Sequence, residues 1–494
     1  MTGKVYLVGA GPGDPELLTR KGLRVLGRAD AVLYDHLASP SLLDLAPAHA
    51  ERVYVGKKRS AHAFSQDEIV ALLIERARRG LTVVRLKGGD PFIFGRGGEE
   101  IEGLAQAGIE YEVVPGVTTP LGIAAYTGVP LTHREHSSVV TFITGHDVDA
   151  IDWGRSCLSG TVVIFMGLQH LGEIVGRLLK AGRSPHTPAM AVRWATRPDQ
   201  QTITGSLAEL PSLVHEAGLL PPVTVVVGEV VSLRQRLSWF EKRPLSGQRI
   251  IVTRAQAQAS EFSAKLLELG AAVIELPVIE MAPLADYSEL DARIAELESY
   301  DWIVLTSVNA VDYFLARLAE CGRDARAIRG RICAIGPATR DALAAAHLRA
   351  DLVPEESVSE GVAAAFGGFD LQNARVLLPR AASAREVIPE ALTRLGARVD
   401  IADAYRNVVP LEAEGRIAVW QHSGRGADWI AFTSGSTVKN WLALAGAESL
   451  RGVRIASVGP ATSEVVRKHG LEVAVEADPH TTDGLIAAIR NYQR

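Results

Sequence analysis

Residues 82–100 read Thr-Val-Val-Arg-Leu-Lys-Gly-Gly-Asp-Pro-Phe-Ile-Phe-Gly-Arg-Gly-Gly-Glu-Glu, an apolar strand that runs into a glycine-rich loop and then an acidic start of the next element. Five glycines fall within the thirteen residues 87–99. Core packing gives no reason for so many, because each costs backbone entropy. A loop of this kind lets main chain approach a ligand closely. A second turn, Val-Gly-Ala-Gly-Pro-Gly-Asp at 8–14, follows the first apolar run. It suggests a dinucleotide fingerprint, GxGxxG with an acid about 20 residues further on, and Asp35 ends the second apolar run. Two residues oppose that reading. Asp14 holds the third glycine position, where its charge would face a pyrophosphate, and Pro12 removes an amide donor. On this turn alone, an NAD-dependent reductase stays a rival.

The elements that must position these loops alternate between short β-rich apolar runs and helical patterns. Candidate strands are Lys4–Val8, Ala31–Tyr34, Thr82–Leu86, Val139–Thr144, Val162–Met166 and Val223–Val227. Between them, Gln66–Arg79 keeps Ile69, Leu72, Leu73 and Ala77 at helical spacing. Ser65 with Glu68 predicts a capping box, and Gly80 a stop. Such alternation predicts α/β layers with mainly parallel sheets. Pro244 and Gly247 break the pattern before a fresh strand, Arg249–Thr253, so the main boundary falls at about 245. The second half carries a weak internal echo. Asp301-Trp302-Ile303-Val304-Leu305-Thr306-Ser307 resembles residues 428–434, and Gly336-Pro337-Ala338-Thr339 recurs at 459–462. Two similar lobes follow, unless strand–turn–helix units simply look alike.

Bulk properties bound the rest. A chain of 494 residues is too long for one core. Its 47% apolar content and net charge of −5 fit a soluble globular protein, with no case for nucleic acid or an anionic membrane. Cys157, Cys321 and Cys333 are far apart, with no CxxC, so neither a disulfide framework nor a zinc site is expected. That usage, and a start without a long apolar run, predict a cytoplasmic protein. No uncharged apolar stretch of ~18 residues offers a membrane span.

The glycine-rich segments come with Tyr34-Asp35-His36-Leu37, Val55-Gly56-Lys57-Lys58, Val114-Pro115-Gly116-Val117-Thr118, Gly128-Val129-Pro130-Leu131-Thr132-His133-Arg134, Thr144-Gly145-His146 and Phe165-Met166-Gly167-Leu168. In this order and spacing, residues 3–242 resemble the uroporphyrinogen-III C-methyltransferases. The resemblance implies a tetrapyrrole methyltransferase fold of two α/β lobes, about 1–115 and 116–242, within a domain 1–244. It implies S-adenosylmethionine as methyl donor, S-adenosylhomocysteine as product, and a homodimer formed through this half. Cofactor contacts carry over to Pro12, Gly88, Gly89, Asp90, Ile93, Thr118, Thr119, Met166, Ala195 and Val223. Thr119 and Ala195 depart from the alanine and glycine common in the family, which predicts altered packing around the cofactor. The resemblance points to Asp35 as proton acceptor and Lys57 as donor; the plainer readings are a helix cap and a surface lysine. Lys57, Lys58, Arg59, Arg85, Lys87, Arg96 and Arg134 lie near the motifs and suit a substrate with eight carboxylates, Arg96 and Arg134 foremost. His133 and His146 read as hydrogen-bonded loop residues, and no metal is expected.

Residues 249–494 contain Arg249-Ile250-Ile251-Val252-Thr253-Arg254, Leu305-Thr306-Ser307-Val308-Asn309, Ala334-Ile335-Gly336-Pro337-Ala338-Thr339, Val376-Leu377-Leu378-Pro379-Arg380, Asp403-Ala404-Tyr405-Arg406, Phe432-Thr433-Ser434-Gly435-Ser436 and Ser457-Val458-Gly459-Pro460-Ala461-Thr462. This set resembles the uroporphyrinogen-III synthases. The resemblance implies a two-lobed α/β fold over 248–494, lobe one about 248–283 plus 411–494 and lobe two about 284–405. The implied reaction closes linear hydroxymethylbilane to uroporphyrinogen III with inversion of ring D. Tyr405 is the candidate acid, and Thr306, Ser307, Thr339, Thr433, Ser434 and Thr462 are candidates to hold the acidic arms. The plain alternative for Tyr405 is a strand-end aromatic between core and solvent. The alternative for the whole half is a degenerate tetrapyrrole-binding module.

Overall fold

The computed structural model describes residues 2–56, 64–156, 159–354, 359–382, 387–424 and 426–492. The chain forms two compact units, Met1–Gln248 with Leu266–Ala272, and Arg249–Lys265 with Val273–Arg494. Residues 266–272 group with the first unit because Leu245 N donates to Leu269 O (2.8 Å) and Arg243 Nη1 to Leu267 O (2.9 Å).

The first sheet of the first unit has its strands in the order Glu51–Tyr54, Ala31–Tyr34, Val83–Lys87, Lys4–Gly9, Glu110–Val114, all parallel. Both faces are covered. Val8, Leu26, Val32 and Leu86 pack on one side, and Leu7, Leu33, Leu73 and Leu104 on the other. Two-sided burial explains why these strands read as continuous apolar runs. The helix Gln66–Arg78 starts at the expected capping box: Glu68 N donates to Ser65 Oγ (3.2 Å) and Ser65 N to Glu68 Oε2 (2.6 Å). Gly80 follows its end with φ +84°, a conformation costly for any residue with a Cβ.

The second sheet has the order Val140–Thr144, Thr161–Phe165, Val223–Val227, Pro188–Arg193, Gln201–Ser206. Only its first pair is parallel; the other three are antiparallel. The expectation of mainly parallel pairing fails in this sheet. Residues 194–200 alone join the strands Pro188–Arg193 and Gln201–Ser206, a link too short for a parallel crossover.

The second unit contains two further sheets. One orders Ala272–Glu275, Arg249–Val252, Trp429–Phe432, Arg454–Ser457 and Val475–Glu476. The other orders Glu280–Ala282, Arg398–Val408, Arg375–Ala381, Trp302–Leu305 and Arg331–Ala334. Glu280–Ala282 pairs antiparallel with Arg406–Val408. Residues 280–282 therefore lie in the sheet of the second lobe, although the sequence reading assigns them to the first; only the long-range pairing reveals this. The internal echo takes physical form. Ser307 and Ser434 cap the helices Val308–Glu320 and Gly435–Ala445 with nearly identical backbone angles, φ −162°, ψ 162° and φ −163°, ψ 158°. Gly336 and Gly459 likewise precede the helices Pro337–Ala345 and Pro460–Lys468.

Candidate active sites

The two glycine-rich segments leave the C-terminal ends of adjacent parallel strands, where α/β sheets place their ligands. They bond back to back: Ala10 N to Lys87 O (2.7 Å), Gly89 N to Gly11 O (2.7 Å) and Gly11 N to Gly89 O (3.2 Å). A third segment joins them at Gly116. A Cβ there would lie 2.3 Å from Gly89 O and 2.7 Å from Gly9 Cα, so the segments touch only because Gly9 and Gly116 carry no side chain, while Gly89 serves the contact through its φ of +68°. Asp90 fixes the loop through its carboxylate, which accepts from Phe92 N (2.8 Å) and Gly116 N (3.0 Å).

The second lobe supplies the opposite wall. Asp14 N donates to Thr196 Oγ1 (2.9 Å), and a Cβ on Gly13 would sit 2.8 Å from Ala195 O. A Cβ on Gly122 would meet Pro12 Cγ at 2.6 Å and Thr196 Cγ2 at 2.8 Å. One on Gly89 would reach Thr119 Oγ1 at 3.5 Å and Thr118 Cα at 3.9 Å. Pro12, Gly89, Thr118, Thr119 and Ala195 thus come together at one place. Phe94 packs on Phe165 with ring centroids 4.9 Å apart, which brings the loop carrying Ile93 beside Met166. Val223 pairs with Arg193 at the strand end that leads to Ala195. Gly88 packs against Leu37, so the Asp35 turn borders the same place. Phe94, Arg96, Met166, Trp194 and Thr196 all have positive φ, between 48° and 68°. Strained non-glycine backbone gathered at one place marks functional loops.

Asp35 Oδ1 accepts from Leu37 N (3.0 Å), and Oδ2 accepts from Arg85 Nη2 (3.2 Å). Lys57, Lys58 and Arg59 lie outside the described residues. Arg85 and Lys87 do not face solvent as part of a substrate-binding cluster. They are 4% and 5% exposed and converge on Glu100, which is fully buried. Burial pushes the Lys87 ammonium below its ordinary value and the Arg85 charge adds to the fall, while Glu100 and Asp35 oppose it. Arg96, at the start of the helix Gly97–Gln106, grips Glu99 with two nitrogens (2.9 and 2.6 Å), and Arg134 is exposed. His133, Glu135 and His136 place one ligand-type atom each within 4.8 Å of one another, a grouping that the sequence reading did not anticipate. Glu100 and Thr196 were also missed; a helix that opens Gly-Gly-Glu-Glu after a basic strand was the available signal for Glu100.

In the second unit, Tyr405 is 6% exposed, with its hydroxyl 3.2 Å from Ser307 Oγ and its ring stacked on Tyr313 at 5.2 Å. Ser307 accepts from Ala310 N (3.1 Å), and Thr306 adjoins it. In the other lobe, Ser434 Oγ accepts from Thr437 N (3.3 Å), beside half-buried Thr433. Thr339 and Thr462 are poorly placed for substrate arms. They are 3% and 4% exposed, and Thr339 Oγ1 donates to Ile335 O (2.9 Å).

Residues 4–211 match the family of Tetrapyrrole (Corrin/Porphyrin) Methylases, and residues 260–487 match Uroporphyrinogen-III synthase HemD. The porphyrin biosynthesis protein HemD of Ruminiclostridium josui is 35% identical over 497 residues, covering 98% of this chain and 97% of that protein. The chain belongs to that family. It combines a methylase domain and a uroporphyrinogen-III synthase domain, and it is an enzyme of tetrapyrrole biosynthesis. The methylase match displaces the dinucleotide reading of the 9–13 turn. Siroheme synthase of Chromobacterium violaceum is 52% identical over 244 residues, 49% of this chain and 52% of that protein. The chain thus spans about half the length of the siroheme synthase it matches. Among solved structures, uroporphyrin-III C-methyl transferase of Thermus thermophilus complexed with S-adenyl homocysteine is 42% identical, with a TM-score of 0.42, covering 47% of this chain and 100% of that one. A mutant uroporphyrinogen III synthase of Thermus thermophilus is 18% identical with a TM-score of 0.38, covering 50% and 98%. No helix among the described residues is long and apolar enough to cross a membrane.

Proposed function

We propose that the synthase domain closes hydroxymethylbilane to uroporphyrinogen III, and that the methylase domain then methylates it twice to precorrin-2. The observation that carries the methylase assignment is the close main-chain packing of Gly9, Gly89 and Gly116, which joins three loop segments beside the Asp35 turn. A Cβ on Gly9 or Gly116 would clash with the facing main chain, so this packing fixes the loops that carry the expected S-adenosylmethionine contacts. When bound, that group supplies an electrophilic methyl carbon on a sulfonium. The chain's part is alignment, which is worth effective molarities of up to ~10⁵ M or more. Pro12, Gly88, Gly89, Asp90, Ile93, Thr118, Thr119, Met166, Ala195 and Val223 hold the donor. Arg96 and Arg134 meet substrate carboxylates, while Asp35 accepts the proton shed as the methylated macrocycle rearranges and Lys57 returns one.

In the synthase domain, Tyr405 donates a proton to the departing hydroxyl, which leaves as water, and Thr306, Ser307, Thr433 and Ser434 hold acidic arms. Full burial of Thr339 and Thr462 favours a second reading for this half, a tetrapyrrole-binding module without closure activity. The resemblance of the methylase domain to its family also implies a homodimer through that domain, measurable by light scattering. The deciding experiment is an anaerobic reaction with fresh hydroxymethylbilane and S-adenosylmethionine, followed by chromatography and mass spectrometry. A dimethylated type III product supports both activities. Type I products alone leave the second half as a binding module.

A further inference from the structure

Behind these loops lies an ionic cluster that methyl transfer as described above does not use. Arg85 and Lys87 sit two residues apart on the strand Val83–Lys87, so both side chains leave the same face of the sheet. The helix Gly97–Gln106 lowers Glu100 onto that face. Glu100 Oε1 accepts from Lys87 Nζ (2.8 Å), Gln66 Nε2 (3.0 Å) and Arg85 Nε (3.3 Å). Its other oxygen, Oε2, is buried and has no hydrogen-bond partner. Three donors on one oxygen and none on the other make a half-satisfied buried network, which costs stability and calls for a compensating role.

The Arg85 guanidinium spans two carboxylates. Its Nε faces Glu100, and its Nη2 faces Asp35 Oδ2 at 3.2 Å. Asp35 sits one residue beyond the neighbouring strand, where Tyr34 is in register with Leu86. Among the described residues, the charged and titratable groups around this point are Arg85 and Lys87 from their strand, Glu100 with the surface pair Arg96–Glu99 at the helix start, Tyr34 and Tyr54 from the neighbouring strands, and Asp67 from the helix Gln66–Arg78. Without Glu100, Arg85 and Lys87 would be two buried cations facing each other beside one carboxylate, and the guanidinium would lose the anchor that sets its plane.

We propose that Glu100 is a positioning residue for methyl transfer: it clamps Arg85, and Arg85 in turn aims the Asp35 carboxylate at the substrate. This rests on the reading of Asp35 as proton acceptor. The role differs from general support of the fold because it acts through one residue.

The test is a double-mutant cycle on the full-length protein. Turnover is measured with supplied uroporphyrinogen III, and binding with S-adenosylhomocysteine calorimetry. Glu100→Gln keeps the shape and removes the charge. It is expected to lower kcat about tenfold, with KM and the S-adenosylhomocysteine Kd changed less than about twofold. In a D35N background, already at least about tenfold slower, the same change is expected to cost almost nothing, because the residue it acts through is gone. Arg85→Lys, which keeps a cation but cannot span both carboxylates, should reproduce the Glu100→Gln loss, and it stands in if that variant does not fold. Wild-type turnover in D35N overturns the Asp35 reading and this proposal with it. A slow D35N in which Glu100→Gln still costs its full factor overturns the positioning role alone, as does a Glu100→Gln enzyme that turns over normally.

Discussion

In the methylase domain, Arg85, Lys87 and Glu100 are buried together behind loops that pack main chain on main chain at Gly9, Gly89 and Gly116. In the synthase domain, Ser307 and Ser434 each spend a hydrogen bond on a helix start, and Thr339 spends one on the Ile335 carbonyl. The first arrangement suits a reaction in which two atoms must be held in line, since close main-chain walls leave little freedom. The second suits a flexible linear substrate whose arms need many modest contacts at loop ends. A difference in tolerance follows: the methylase loops should be sensitive to single added atoms, and the synthase loops to lost hydroxyls only by degrees.

Gly116→Ala is the strongest way to break that contrast. Its Cβ would sit 2.3 Å from Gly89 O, which must move. We expect S-adenosylhomocysteine affinity to fall about 100-fold, some 2.7 kcal/mol, while synthase activity on hydroxymethylbilane holds. Unchanged calorimetric affinity would mean that the three-glycine contact does not shape the cofactor site.

Tyr405→Phe comes next. It removes one hydroxyl, 3.2 Å from Ser307 Oγ, and keeps the ring stacked on Tyr313. The expected loss is about tenfold in ring closure, with methyl transfer to supplied uroporphyrinogen III untouched. A full synthase rate would leave Tyr405 as a core aromatic.

What the sequence made legible was whatever is local. The capping box at Ser65 and Glu68 spans three residues, and the glycine-rich loops are consecutive, so both could be read directly. The echo at 301–307 and 428–434 was legible for the same reason, since each copy is one strand and one cap. The Glu100 cluster was not. It joins two residues of one strand, the end of a second strand and the start of a helix, and only the sheet order brings these together. In sequence, Arg85 and Lys87 read as part of a basic set suited to substrate carboxylates. The antiparallel pairing around Val223–Val227 was hidden too, because an apolar run does not state its partner's direction. Thr339 misled for a subtler reason: on the helix Pro337–Ala345 its hydroxyl reaches back four residues to Ile335 O.

The two echoed serines sharpen the comparison within the synthase domain. Ser307→Ala and Ser434→Ala each remove an N-cap, worth about 1 kcal/mol, and should both lower stability to denaturant. Only Ser307 also touches Tyr405. Ring closure should therefore slow several-fold more in Ser307→Ala, by about threefold or more on the scale of one neutral hydrogen bond. Equal rates would make both residues caps and nothing else.

The smallest effect separates the two units by acid. Each carries a two-pronged ion pair of the same form. Arg76 holds Glu51 in the first (3.1 and 2.7 Å), and Arg317 holds Asp291 in the second (2.6 and 2.6 Å). Hydrogen bonding to arginine lowers both carboxyls, Glu51 from an ordinary 4.5 and Asp291 from 3.8. A carboxyl lowered on folding stabilises the protein fully above its unfolded value, and the gain is lost as pH falls through the folded one. The first unit should therefore begin to lose its contribution below about pH 4.5, and the second only below about 3.8. Both carboxylates are more than a third exposed, at 43% and 36%, so solvent screening leaves each pair a small contribution. Glu51→Gln should flatten the acid dependence of the first unit's unfolding near pH 4.5 and leave that of the second unchanged, followed by hydrogen exchange of the strands Val83–Lys87 and Trp302–Leu305. If both strands lose protection together at every pH, the two units unfold as one, and the ion pairs cannot be assigned separate acid limits.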